Sequence, residues 1–236
     1  MNIRKEYLDT TARSRPGTKI TPKGLVIHWT ANQKKGAKAI NNRNYFNDSG
    51  QAVSAHYVAD DTEIVQCLPE NEMAYHVGAK MYKKEALQQL SSYPNNCTIG
   101  IEMCVNVDGD FTKTYQNTVQ LAADILKRYG WTINQLWRHY DITGKDCPRF
   151  FVDDAIAKHF GFTSAADGWK QFKIDVNNLK EGVKPMASKT NNTPSAWAKE
   201  AWEWCLKQEY LDGTRPQDPV TREELAVILQ RLKGGK

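Results

Sequence analysis

The chain has 236 residues, 40% hydrophobic and 25% charged, a balance that suits a globular protein with one substantial domain and a small appendage. A formal net charge of +5 is too mild to demand a polyanionic partner, and no nucleic-acid partner is expected. No apolar run approaches the roughly 20 residues that span a bilayer, so no membrane partner is expected. The opening residues, Met1 to Tyr7, lack the apolar core of a secretory leader, and the expectation is a chain that is not exported by that route. Cys67, Cys97, Cys104, Cys147 and Cys205 are odd in number and irregular in spacing, so they read as reduced thiols, with one or more free for metal.

Residues 1–23 are polar, with a turn at Arg15-Pro16-Gly17, and are expected to lie across the domain surface. Gly24 to Thr30 is a short apolar run that reads as a buried strand carrying His28 near its C-terminal end, the end that faces the ligand crevice in open α/β sheets. Ala37 to Asn47 has a helical pattern, with Ala39, Ile40, Tyr45 and Phe46 as its inner face. Ala55 to Ala59 and Glu63 to Leu68 read as a hairpin turned by Asp60-Asp61. Residues 74–79 read as loop, and residues 80–97 as a long polar excursion that faces substrate.

Thr98 to Val105 reads as a strand, apolar on both faces except for Glu102. A buried carboxylate costs several kcal/mol unless it is paired or wet, so Glu102 asks for a functional or ion-pair explanation. Thr112 to Tyr129 is the clearest helix, stopped by Gly130. Phe151 to Phe160 and Ser164 to Leu179 read as two more helices, the second capped by Ser164 with Asp167 and anchored by Trp169, Phe172, Ile174 and Val176. The expected domains are 1–182, a linker at 183–194, and a small helical unit at 195–236. In that unit Trp197, Ala201, Trp202 and Cys205 mark one helix, and Thr221 with Glu224 a capping box that starts another. These elements read as an α/β domain followed by a small α-helical C-terminal unit.

His28, His139 and Cys147 are candidate zinc ligands. Two imidazoles and a thiolate leave a fourth position open for water, as catalytic zinc sites do. His56 and His159 read as structural histidines, and Cys104 as a small core residue. A cysteine hydrolase using Cys147 with His139 or His28 and a structural zinc site are the competing readings.

Val26-Ile27-His28-Trp29-Thr30, Tyr75-His76-Val77-Gly78, Ile99-Gly100-Ile101-Glu102 and the stretch His139 to Pro148 together resemble the zinc-dependent N-acetylmuramoyl-L-alanine amidases of type 2. These share a fold with peptidoglycan recognition proteins, and the resemblance covers about residues 20–180. It implies an α/β fold, a mixed central sheet flanked by helices, with Zn2+ in a groove across it, held by His28, His139 and Cys147. It implies Glu102 as general base, Lys145 as the cation that stabilises the oxyanion, and His76 as a substrate contact. The expected substrate partner is bacterial peptidoglycan, cut between N-acetylmuramic acid and L-alanine. Some members carry a tyrosine before the position of His56; here that residue is Ala55, which leaves the chemistry to Glu102 and Lys145. A non-catalytic peptidoglycan receptor on the same fold is the alternative, and Cys147 argues against it.

The C-terminal stretches around Trp197, Leu211-Asp212-Gly213 and Asp218 to Ala226 resemble one S-layer-homology repeat. That implies binding to a secondary cell-wall polymer, with homodimerisation as the competing role. Joined to the unexported N-terminus, the resemblance implies a phage endolysin held in the host cytoplasm until holin-mediated release, with a bacterial autolysin as the alternative.

Overall fold

A computed structural model of the chain describes residues 3–182, 198–208, 210 and 229. The chain divides into two units, Met1–Val183 and Lys184–Lys236. In the first, the elements run β1 (Ile3–Lys5), β2 (Gly24–Trp29), α1 (Ala39–Asp48), β3 (Tyr57–Ala59), β4 (Ile64–Gln66), α2 (Lys84–Gln89), β5 (Thr98–Met103), α3 (Phe111–Arg128), β6 (Leu136–Arg138), α4 (His139–Thr143), α5 (Asp154–His159) and α6 (Ala165–Lys180). The six strands form one sheet in the order β1-β4-β3-β5-β2-β6. All neighbours are parallel except the β3–β4 hairpin, so the sheet is mixed, as the family resemblance implies.

The two central strands are covered on both faces, which is why they read as near-continuous apolar runs. Leu25 and Ile27 of β2 and Ile99, Ile101 and Met103 of β5 point to one face. There they join Val119, Ala122, Ile125 and Leu126 of α3, Phe172 and Val176 of α6, and Phe150 and Phe151 from the connecting turn, in the largest core cluster. The other face is not one core but two. Leu8, Ala39, Phe46, Val58 and Val65 pack around α1, while Val26, Ala86, Leu90 and Ile142 pack around α2 and α4. In strand order, His28 and Glu102 fall where these two clusters part, so the polar groups occupy a seam that neither core fills.

Local signals account for the helices that support this seam. Asp110 caps α3 by accepting from the Lys113 N–H, and Lys127 and Arg128 sit in its last turn, where cations complement the exposed carbonyls. Ser164 caps α6 by accepting from the Asp167 N–H, the cap read from the sequence. Glu70 ties α3 to the hairpin. Its carboxylate accepts from both terminal nitrogens of Arg128, at 2.8 and 2.7 Å, and from the Tyr57 hydroxyl at 2.8 Å.

Several expectations change. The N-terminal stretch does not merely cross the surface: β1 pairs in parallel with β4 as the outermost strand, and Leu8 is buried. Tyr45 is 56% exposed, and Asn42 takes the inner position, its amide donating to the Ala37 and Lys38 carbonyls. Ile174 also faces outward, because Trp169, Phe172 and Val176 already complete the buried stripe of α6. The helix expected over Phe151–Phe160 starts later, since Asp153 caps at that point by accepting from the Ala155 and Ile156 N–H groups. Residues 80–97 are not all loop: they contain α2 and a single 3-10 turn at Pro94–Asn96. In the second unit, α7 (Lys199–Lys207) has Trp202 and Cys205 half-buried on one side. The linker expected at 183–194, Trp197 and the capping box at Thr221 lie outside the described residues.

Candidate metal centre

Register brings the site together. β2 and β5 pair so that His28 lies beside Glu102, and β3 adds Val58 on the far side of Glu102. In a parallel sheet such partners share a face, so the imidazole and the carboxyl project into the same seam. On the other edge of β2, Ile27 pairs with Arg138, the last residue of β6. The next residue, His139, opens α4 and is thereby delivered alongside His28.

Cys147 returns to this point by a short closed excursion. α4 runs for five residues and ends on Gly144, whose φ of +82° is open to glycine at little cost. The Tyr140 N–H donates to the Cys147 carbonyl at 2.9 Å, closing the loop back on the start of the helix. Arg138 clamps its base: the backbone N–H and the guanidinium both donate to Asp141, and the guanidinium also donates to the Phe151 carbonyl at 2.6 Å. The seven residues between His139 and Cys147 are thus a helix, a glycine cap and a return.

His28, His139 and Cys147 are all buried, and their ligand atoms lie within 4.8 Å of one another. His28 Nδ1 is 3.1 Å from His139 Nδ1 and 3.6 Å from Cys147 Sγ. A tetrahedral zinc with ordinary bond lengths sets two nitrogens about 3.3 Å apart and a nitrogen and a sulfur about 3.6 Å apart. Both His28 separations match that geometry, and two imidazoles with a thiol are donors that zinc takes.

The electrostatics agree. Burial, then His139, holds the His28 imidazole well below its ordinary pKa. Burial, then Lys145, lowers His139 to about 4. Both rings are therefore neutral and able to donate a lone pair. Burial, then Glu102, pushes the Cys147 thiol up to about 12. That is the reverse of what a cysteine nucleophile needs and, with both imidazole nitrogens close by, favours the ligand reading of Cys147. A divalent cation would invert it, because a coordinating thiol gives up its proton outright.

Glu102 shows the same seam from the acid side. Part of the residue reaches solvent, but its Oε2 is sealed off and has no hydrogen-bond partner. Burial pushes the carboxyl up to about 8, while Lys145 pulls it down. Lys145 is exposed on the α4–Cys147 return, and its charge also lowers His28, His139 and Cys147. A carboxyl thus lies beside the donor cluster in register, and the charge of an exposed ammonium acts on it from the return.

Two histidines stand behind it. His56 accepts from the Gly100 N–H at Nδ1 (3.0 Å) and donates from Nε2 to the Glu72 carbonyl (2.8 Å), the satisfied structural histidine expected from the sequence. His76 is buried, with Nδ1 2.9 Å from His28 Nε2 and Nε2 3.1 Å from the Thr98 hydroxyl. The resemblance had marked it for substrate contact; here both ring nitrogens are engaged inside the protein. Thr98 and Asn95, which hold His76, carry no sequence signal of their own.

A mixed α/β sheet with a buried His-His-Cys cluster, a carboxyl and an ammonium has the parts of a metal-dependent hydrolase. The N-acetylmuramoyl-L-alanine amidase family model matches residues 17–150, a span that holds all six candidate residues, and the chain belongs to that family. N-acetylmuramoyl-L-alanine amidase CwlL of Bacillus licheniformis is 40% identical over 162 residues, 66% of this chain and 44% of the relative. XlyA of Bacillus subtilis (strain 168) is 33% identical over 153 residues, 65% of this chain and 48% of the relative. The chain thus spans about half the length of these relatives. The solved catalytic domain of XlyA superposes with a TM-score of 0.60 at 30% identity, covering 75% of this chain and 99% of that domain. A mutant endolysin from Bacillus subtilis gives a TM-score of 0.60 at 30% identity over 74% of this chain and 98% of its own. Among the described residues, no helix is long and apolar enough to cross a membrane.

The raised Glu102 carboxyl predicts a pH signature in chelator-treated protein. The unfolded chain releases this proton near 4.5 and the folded chain near 8. Between those values the unfolded state sheds the proton first, so stability falls as pH rises, by at most about 1.4 kcal/mol per unit and less where water reaches the side chain. Glu102→Gln, neutral throughout, should gain on the parent from about pH 5 to pH 8 in urea titrations and level off above. A difference that stays flat with pH contradicts a buried carboxyl.

Proposed function

We propose that this chain is a zinc-dependent N-acetylmuramoyl-L-alanine amidase of the endolysin type, hydrolysing the amide between N-acetylmuramic acid and L-alanine in bacterial peptidoglycan. The observation that carries the proposal is the buried His28–His139–Cys147 cluster with the unpaired Glu102 carboxyl beside it in register. The names of CwlL and XlyA support the bond, and likeness to a chain titled endolysin supports the role. As an endolysin it is made in the host cytoplasm and meets the wall after holin-mediated release.

In this reading His28, His139 and Cys147 hold the zinc. Bound zinc supplies Lewis acidity, polarising the lactyl carbonyl and lowering the pKa of an attacking water. Glu102, as carboxylate, takes a proton from that water as it adds to the carbonyl carbon. It then returns the proton to the departing amine of L-alanine, so that one group serves as base and acid. Lys145 brings a fixed positive charge to the carbonyl oxygen as negative charge gathers there. A bound cation would draw the raised Glu102 carboxyl back toward its ordinary range, so that it is ionised at neutral pH when water is activated.

For residues 195–236 we adopt wall-polymer binding, with residues 183–194 as a linker. The S-layer-homology pattern supports this, and dimerisation is the second reading.

Glu102→Ala should keep the fold and one bound zinc while losing about 10²- to 10⁴-fold in the rate of clearing purified wall. Chelation should abolish clearing in the parent, and zinc should restore it. Full clearing by Glu102→Ala removes the base assignment, and clearing that survives chelation removes the metal. Deleting residues 190–236 should weaken sedimentation with intact walls. Unchanged sedimentation together with loss of a dimer in light scattering assigns the unit to dimerisation instead.

A further inference from the structure

His28 meets the donor cluster through Nδ1, and something must keep the ring hydrogen on the other nitrogen. The hydrogen bonds behind it specify that placement in three steps. The Thr98 hydroxyl has one hydrogen, and it goes to the Pro94 carbonyl at 2.7 Å. Toward His76 Nε2, at 3.1 Å, that hydroxyl can therefore only accept; the Thr98 carbonyl, at 3.4 Å from the same nitrogen, can also only accept. His76 thus carries its hydrogen on Nε2. Its ring is buried, with imidazole neighbours and no carboxylate in contact, so it stays neutral and presents a lone pair at Nδ1. That lone pair accepts from His28 Nε2–H at 2.9 Å. His28 Nδ1 is left bare, 3.1 Å from His139 Nδ1 and 3.6 Å from Cys147 Sγ.

We propose that Thr98 and His76 are positioning residues that fix the tautomer and ring plane of His28, so that Nδ1 is committed to the metal. The chain Pro94–Thr98–His76–His28 takes the place of the carboxylate or carbonyl that more often orients a metal-binding histidine. The surroundings are shaped for it. A Cβ on Gly100 would lie 2.6 Å from His76 Nδ1, so only glycine lets the ring lie across β5. The Asn95 side-chain oxygen accepts from the backbone N–H groups of His76 and Val77, at 3.1 and 2.8 Å, and sets the ring's approach. His76 thereby supports a ligand rather than meeting substrate.

This inference rests on the zinc reading above. The test is equilibrium zinc affinity of the full chain, by competition with a chromophoric chelator, with melting of the metal-free protein as a fold control. His76→Leu fills the space but offers no acceptor, and should weaken zinc roughly 10- to 100-fold. His76→Asn places an amide oxygen near the Nδ1 position, and should recover most of that loss. Thr98→Val keeps the shape but removes the hydroxyl, and should weaken zinc by about 3- to 10-fold, a smaller loss because the Thr98 carbonyl remains an acceptor. If His76→Leu does not fold, Thr98→Val decides alone. Parent-like affinity in the decisive variant, or equal losses for Leu and Asn at position 76, overturns the relay. Failure of the parent itself to bind one zinc overturns the zinc reading instead.

Discussion

Everything at this site depends on the parallel register of β2 against β5 and β6. That pairing sets His28 beside Glu102 and ends β6 opposite Ile27, so that His139 arrives next to His28. Side chains alternate along a strand, so a slip of β2 by one residue would turn His28 into the core and bring Ile27 to the seam, and a slip of β5 would do the same to Glu102 and Ile101. The apolar face guards against that slip. Leu25, Ile27, Ile99, Ile101 and Met103 are each fully buried against α3 and α6, and exposing even one costs about 1.5–3 kcal/mol. The hydrophobic core on one side thus fixes the chemistry on the other.

The seam is where the protein gives up packing. Its second face holds two separate apolar clusters rather than one, and between them lie groups that burial disfavours. The imidazoles are held neutral, the thiol is protonated and one carboxyl oxygen is unpaired. Such an arrangement is a poor way to stabilise a fold and a good way to bind a cation, because an ion would take up the imidazole lone pairs and the thiolate and would leave the Glu102 carboxyl free beside it. Binding there adds directly to the stability of the folded state.

The sheet could be read from the sequence because its central strands are apolar on both faces, and α3 because its stripe is long and capped. The candidate cluster was legible because a strand-terminal histidine and a His-x7-Cys spacing mark three donors that the fold brings within 4.8 Å of one another, and the resemblance added Glu102 and Lys145 as candidates. What the sequence hid was local and small. β1 is three residues long and polar, too short for periodicity. Tyr45 and Asn42 exchange places because an amide bonding to the preceding turn can be buried while a phenol stays wet. His76 looked like a groove residue because its neighbours are aromatic and glycine. Its burial follows from Gly100, a residue distant in sequence whose only contribution is the absence of a side chain.

The most direct test of the central claim is the mass of what the zinc-loaded protein releases from peptidoglycan of defined composition. An amidase releases free stem peptides that begin at L-alanine, with glycan strands left intact and N-acetylmuramic acid bearing its free lactyl carboxyl. Muropeptides still joined to sugar, or fragments cut within the stem, would contradict it.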